Sequence, residues 1–468
     1  MDEKRQQRTE ERRRLMLEGN LLRIIPVIAF PQVVTMLIDA LYNIADTYFV
    51  SQLGPAATAA VGINDSTMHI IRALALAFGM GAASYISRLL GAGKDQEASR
   101  AASTTIFTAM GFIAGISVLG YIFLSPLMTF LGATESAKPY SMAYGRWTLL
   151  FAPFTAGTVC LSQTLRGEGS TAFAMCGSVS GCVINLFLDP LLITAFNWGV
   201  SGAAIATGIS KVISFGILLF PFISQRTVVT ISLRLFSPRK DLYGEIARMG
   251  IPVGMRTSMM TLSTIVINNM AAGFGDIALA AVAVANKCMR LVSAAIMGFG
   301  QGFQPIAGYC WGARKYGRVK KAFFYTSAIG FVISAVLGAL LAVFARRVVG
   351  IFSGDLAMID AGVILVRSQS VVLPPHVWVL IAGGLFQGTG KPFQAGLLGL
   401  SRQIFSLIPS VIILTSLFGL TGLVYAQAAA DLVSFCIALG LVIPMILELN
   451  RLQKRQGDEE KIQELETA

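Results

Sequence analysis

The stretch Ile24–Val50, IIPVIAFPQVVTMLIDALYNIADTYFV, narrows what this chain can fold into more than any other. It is long enough to cross a bilayer, which takes about 20 apolar residues, yet two prolines and two aspartates lie inside its apolar length. A carboxylate at the bilayer centre costs about 2.5–3.5 kcal/mol on insertion scales, so an aspartate kept there points to function. Asp39, Asn43 and Asp46 stand four and then three residues apart, one polar stripe on an otherwise apolar helix. The remaining chain must supply what that stripe faces.

Hydrophobic residues make up 54% and charged residues 13% of the 468, where a soluble domain carries about 25% charged. Mean hydropathy is +0.68. Apolar segments separated by short charged or Gly/Pro-rich breaks run from Ile24 to about Leu447, the pattern of a helical bundle and not of a barrel. Twelve spans are predicted, near 24–50, 60–88, 101–125, 139–163, 172–196, 200–222, 247–272, 279–309, 322–345, 362–386, 394–417 and 421–447. The expectation is an all-α integral membrane protein of twelve transmembrane helices in two six-helix lobes. Its domains are a cytoplasmic N-terminal segment 1–23, an N-terminal lobe 24–222, a cytoplasmic linker 223–246, a C-terminal lobe 247–447 and a cytoplasmic tail 448–468.

The net charge of +12 does not point to nucleic acid, because the basic residues sit in alternate loops. They crowd the N-terminus (Lys4, Arg5, Arg8, Arg12, Arg13, Arg14) and the breaks after spans 2, 6 and 8, while the loops near Gly54, Asn197, Asp276 and Leu417 are nearly free of them. The positive-inside rule then places both termini in the cytoplasm of a multi-pass protein; Arg346 and Arg347, after span 9, run against it. No cleavable signal peptide is visible. Six cysteines lie scattered in apolar helices without metal-ligand spacing and read as small hydrophobes.

The chain repeats itself. Gly91-Ala92-Gly93-Lys94 corresponds to Gly312-Ala313-Arg314-Lys315, an offset of 312 − 91 = 221, and the same offset pairs Ala59-Ala60-Val61 with Ala280-Ala281-Val282 and Leu165–Gly169 with Phe386–Gly390. Gly199–Gly202 pairs with Gly419–Gly422 at an offset of 220. Six is even, so the two halves start on the same side and form a parallel repeat, an arrangement in which two lobes rock about a central cavity.

The halves differ in their acids. Asp39, Asp46 and Asp189 lie within spans of the first, while spans 7, 10 and 11 of the second have no carboxylate at that depth. Asn185 and Asp189 share a face of span 5, where the copy has Phe405 and Pro409. Ion-coupling chemistry therefore belongs in the N-terminal lobe. Two buried carboxylates close together cannot both stay charged cheaply, so such a pair can carry a proton. With carbonyl and hydroxyl oxygens added, the same atoms could hold Na⁺.

The LYNIADTYFVSQLG stretch, the GAGK break, LRGEG, NLFLDP and GVSGAAIAT together resemble the MATE (multidrug and toxic compound extrusion) transporters, particularly the prokaryotic DinF-like branch, from Pro26 to about Asp431. The resemblance implies a V of two six-helix lobes in a prokaryotic plasma (inner) membrane, exchanging protons or Na⁺ for amphipathic, often cationic, small organic compounds. Carried over by position, it implies Asp46, Tyr144, Asn185, Asp189 and Thr207 as the coupling site, with Pro31 as the point where span 1 bends. Other branches use carboxylates in spans 7 and 10; here those regions read PVGMRTSMM and PPHVWVLIAGG, which argues against a cation site of that kind.

Lys211 lies too deep in span 6 for easy snorkelling, so Asp39 and Lys211 are expected to line the N-lobe cavity as counter-charges, with Met36, Thr158 and Ser162 as neighbours. His69, in NDSTMHIIRAL with Asp65 and Arg72, reads as a packing residue, with a proton relay as the alternative; Arg256, Lys287 and Arg290 receive no role. A lipid-linked oligosaccharide or lipid flippase of the same wider superfamily is the competing function, and it calls for more cationic residues in the central cavity. No nucleophile and base pairing, phosphate loop or metal cluster points to an enzyme. The chain is expected to need no cofactor beyond its coupling ion, to meet membrane lipid and small organic molecules, and to work as a monomer.

Overall fold

The computed structural model describes residues 3–351 and 355–467. Among them regular structure is helical, and the chain divides into two compact units. The first comprises residues 1–12, 34–90 and 94–254, the second 13–33, 91–93 and 255–468. One division falls between Val33 and Val34, inside the first spanning helix, and another between Gly254 and Met255, beyond the 223–246 linker.

The first unit holds the end of α1 (Glu3–Glu18) nearest the N-terminus, the later part of α2 (Leu21–Ser51), and α3 (Pro55–Gly91), α4 (Asp95–Ile122), α5 (Leu124–Phe130), α6 (Lys138–Gly167), α7 (Thr171–Pro190) and α8 (Gly199–Ile223). It ends in the first half of α9 (Lys240–Ala272). Helix α6 is its centre and packs on α4, α7 and α8. Close approach of α6 and α8 depends on Gly208, where a side-chain carbon would lie 1.9 Å from the Phe151 ring. The linker belongs here because α4 holds it: Ser99, Ser103 and Thr104 accept the backbone N–H groups of Thr230, Ser232 and Ser237 at 3.0, 3.1 and 3.0 Å.

Glu168 ties these segments together beyond the end of α6. It is fully buried, 3.1 Å from Nη1 of Arg12 and 3.1 Å from the N–H of Val229, and it accepts a further bond from the Ser170 hydroxyl. Burial pushes its carboxyl above the usual range, with Arg12, Ser170 and the backbone N–H groups of Val229 and Val228 pulling it back. A raised native pKa means that the stability linked to this ionisation is complete at low pH and declines as pH rises through it. Removing the acid outright leaves Arg12 without its counter-charge and the buried Val229 N–H without its acceptor. Glu168→Ala is therefore expected to cost on the order of 3 kcal/mol, read as a lower thermal midpoint of the detergent-purified protein.

The second unit contains α10 (Asp276–Gly312), α11 (Tyr316–Gly350), α12 (Leu356–Val371), α13 (Leu373–Gly388), α14 (Pro392–Leu400) and α15 (Ile408–Thr467). Its centre is α10, packed on α11, α12 and α13. Residues 13–33 join it through small residues: side-chain carbons at Gly298 and Gly302 would lie 2.6 Å from the Cα atoms of Val33 and Ala29. This is the small-xxx-small contact that lets membrane helices approach to backbone distance. Between α14 and α15, Ser401–Leu407 winds as a π-helix, as Leu191–Ala195 does after α7.

Among the described residues nine helices are long and apolar enough to cross a membrane, or ten with the pair Met358–Val371 and Leu373–Gly388, bent by 50° at the break before the prolines 374 and 375. The 68-residue stretch Pro392–Glu459 holds two passages. It reverses at Gly419 (φ 59°, ψ −136°), and Arg402 reaches Asp431, and Ser406 Ser434, across the two arms. Helix α9, 33 residues long, supplies one more passage, giving the twelve of the sequence pattern. The repeat is written in the backbone: residues of positive φ recur as Gly54 and Gly275, Gly93 and Arg314, and Gly169 and Gly390, each 221 apart, and as Gly199 and Gly419, 220 apart.

Candidate functional site

In the first unit four helices bring the five expected coupling residues to one place. The i, i+4 spacing on α7 lets Asn185 Nδ2 donate to Asp189 Oδ1 at 3.0 Å. Asp46 on α2 stands within hydrogen-bonding reach of Asp189. Thr207 on α8 stands within hydrogen-bonding reach of Tyr144 on α6 and of Tyr42 on α2. Asn185 and Asp189 are 2% and 1% exposed. Asp65 on α3 is a further electrostatic neighbour of Asp46, and His69 and Arg72 follow it on the same face. Val50, Ala57, Val61, Ile193, Val200, Ala203 and Ala204 pack around Tyr144 as an apolar wall.

Two oxygens in this cluster have no donor among the described residues: Oδ1 of Asn185 and Oδ2 of Asp189. An unpaired buried acceptor costs about 1–3 kcal/mol, and two side by side, next to the acceptor-only Asp46, form a place for a proton or a small cation. Pro190 and the π-turn 191–195 follow directly on Asp189. A π-turn carries an extra residue per turn and breaks the regular ladder, a feature common at functional sites.

Tyr42 was missed from the sequence, although it stands one helical turn before Asp46 and so on its face. Asn43, read as part of the stripe, instead donates to the Asp39 carbonyl of its own helix. Asp39 has different company: it is an electrostatic neighbour of Lys211, as expected, and also of Arg166 and Cys182, with Arg72 acting on Lys211 as a like charge. Arg166 lies within the LRGEG motif, but its apolar flanks gave no sign that it turns towards span 1.

The other cavity candidates scatter. Thr158 bonds to the carbonyls of Phe154 and, between helices, of Lys211, at 2.8 and 3.3 Å. Ser162 is buried on α6 and Met36 half-buried on α2. Pro31 precedes Asp46 by 46 − 31 = 15 residues, about 22 Å of helix. It belongs to the second unit, and α2 continues as helix through it.

The second unit has a charge cluster of its own, which the sequence reading left out. Asp431 on α15, 6% exposed, accepts from Nε of Arg402 at 2.7 Å on Oδ1, and Nδ1 of His376 lies 3.2 Å from the same oxygen. Arg256 on α9 is the electrostatic neighbour of Arg402. Spans 7, 10 and 11 do lack carboxylates; the acid comes from span 12, through the reversal at Gly419. His376 thus lies beside a carboxylate.

The family model MatE matches residues 31–191 and 252–412, two blocks offset by 252 − 31 = 221 that together cover more than half of the chain. The chain is 28% identical over 420 residues to the Multidrug export protein MepA of Staphylococcus saprophyticus, covering 89% of this chain and 92% of that protein. It superposes with a TM-score of 0.88 on the outward-facing conformation of a multidrug resistance MATE family transporter of the MOP superfamily, at 26% identity over 94% of this chain and 98% of that one. A MOP superfamily transporter from Pyrococcus furiosus, described as having a binding pocket of reversed polarity, superposes at 0.86 with 25% identity, over 94% of this chain and 98% of that one. On the two-block match, the internal repeat and the helical fold, this multi-pass membrane protein is a transporter and not an enzyme, and it belongs to the MATE family.

Proposed function

We propose that this chain is a secondary-active exporter that exchanges protons, or Na⁺, for amphipathic organic compounds by alternating access. It lies in the plasma membrane of a prokaryote with both termini in the cytoplasm and acts as a monomer. The observation that carries this reading is the junction of Asp46 and Asp189, with unpaired oxygens on Asp189 and Asn185.

Two adjacent carboxylates in a dry site hold one positive charge far better than none. With a proton or Na⁺ bound, the cluster closes on itself: Asp46 on α2 is drawn to Asp189 on α7, while Thr207 joins α8 to Tyr42 and Tyr144. With the cation lost, the two acids repel and α2 is released from α7. Occupancy therefore selects between two arrangements of α2, and only the differential affinity of the cation for them drives the change. Pro31, in the same helix, is a point at which that difference can be taken up as a bend. The coupling site in the first unit and the bare spans 7 and 10 favour the DinF-like branch. One net charge moved per cycle through about 150 mV supports a gradient of about a few hundredfold for an uncharged compound, whereas one-for-one exchange with a monovalent cationic dye moves no net charge and draws on the ion gradient alone.

The relatives' description as multidrug export proteins supports small organic substrates. The flippase reading draws on one observation, the basic side chains Arg256 and Arg402 in the second unit.

Efflux of ethidium from proteoliposomes under separately imposed pH and Na⁺ gradients tests the proposal. Concentrative transport is expected with one gradient and not the other, and the driving gradient names the ion. Transport indifferent to both overturns the reading.

A further inference from the structure

The second unit leaves its buried charge unbalanced. Arg402 and His376 share Asp431, but Arg256 has no such acid. Its Nε is buried with no acceptor among the described residues, and the charge acting on it is another cation, Arg402. The first unit is built otherwise, since Arg166 and Lys211 both have Asp39 as an electrostatic neighbour.

Depth raises the cost. Arg256 lies 256 − 247 = 9 residues into the span expected from 247, about 14 Å into a hydrocarbon layer about 30 Å thick. Arg256 is half-buried, and a cation kept at that depth with no acid beside it among the described residues points to a substrate or ion path. The local backbone makes room for it. Gly399 stands one turn before Arg402, and a side-chain carbon at Gly399 would come within 3.2 Å of Arg256 Cδ. The π-helix Ser401–Leu407 carries Arg402 itself. Arg402 acts on Arg256 as a like charge, and a guanidinium matches the two oxygens of a carboxylate or phosphate, which it can hold by paired N–H donors.

We propose that Arg256 and Arg402 form a binding site for the anionic group, carboxylate or phosphate, of an amphipathic substrate. Asp431 is the internal carboxylate that such a group displaces from Arg402, and His376 keeps Asp431 paired when it is displaced. The inference rests on the export reading and adds a substrate class to it, but its residues are separate from the coupling cluster.

Equilibrium binding tests it without any ion gradient. The probes are 11-(dansylamino)undecanoate and its uncharged methyl ester, titrated by fluorescence on the purified full-length protein in dodecyl maltoside. The native protein is expected to prefer the acid, and Arg256→Gln to lower the acid-to-ester affinity ratio about tenfold, with Arg256→Lys in between. Asp431→Asn, which removes the competing carboxylate but leaves an amide oxygen for Arg402, is expected to raise the ratio. Competition by phosphatidylglycerol and by dodecanoate separates a lipid phosphate from a soluble carboxylate as the occupant. A native ratio near one, an unchanged ratio in Arg256→Gln, a fall in both the Arg256 and Asp431 variants, or displacement by neither competitor overturns the site. Asp46→Asn that still exports ethidium against a gradient sinks the coupling model and leaves the acid-to-ester ratio untouched, so the two failures are distinct.

Discussion

Asp46→Asn and Asp189→Asn are each expected to collapse the ethidium gradient that proteoliposomes sustain to about one, under whichever ion gradient drives the native protein. The cause is electrostatic. Asn185 already donates its amide to Oδ1 of Asp189 and leaves Oδ2 open beside Asp46. An asparagine at either acid supplies an N–H where the proton or cation would sit, so the cluster is satisfied permanently and no longer senses ion concentration. Downhill exchange of dye is expected to persist, and its rate should lose its dependence on pH or Na⁺. Two-sided measurement separates this from misfolding, because a misfolded variant loses downhill exchange as well. Full concentrative transport by either variant would show that the carboxylate pair is not the coupling site.

Asp431→Ala is expected to destabilise the protein by about 3–5 kcal/mol, seen as a large drop in the thermal midpoint in detergent. One carboxylate oxygen faces both Arg402 and His376, and its removal leaves the half-buried Arg402 to act on Arg256 with no acid to offset it. Attraction lost and repulsion uncovered act in the same direction. Removing Arg402 as well is expected to recover part of the loss, because the most costly state is a buried charge without its partner and not the absence of the pair. Equal midpoints for Asp431→Ala and the double variant Asp431→Ala/Arg402→Leu would mean that the ion pair contributes nothing beyond the carboxylate's packing.

Much of this was legible in the residues. Membrane helices announce themselves because every backbone group in lipid must be bonded within its own segment, and the repeat could be read because turns constrain residue type: Gly54 and Gly275, or Gly169 and Gly390, sit at matching left-handed positions. Asp46, Asn185 and Asp189 could be found because acids and amides are scarce inside spans. Tyr42 was less legible because tyrosine is common in such helices and its role depends on Thr207 from α8. The pairing of Arg402 with Asp431 stayed hidden for a different reason. It depends on where the last two passages reverse, and only a turn at Gly419 places residues 402 and 431 opposite one another.

The first spanning helix is divided between the units, residues 13–33 going with one and 34 onward with the other. A polypeptide that begins in the 223–246 linker therefore lacks a strip of its own interior, the one that Gly298 and Gly302 are shaped to receive. Split-gene co-expression is then expected to reconstitute the second unit only when residues 13–33 are supplied in trans. The 221-residue repeat and the division of the chain into units therefore do not share a boundary.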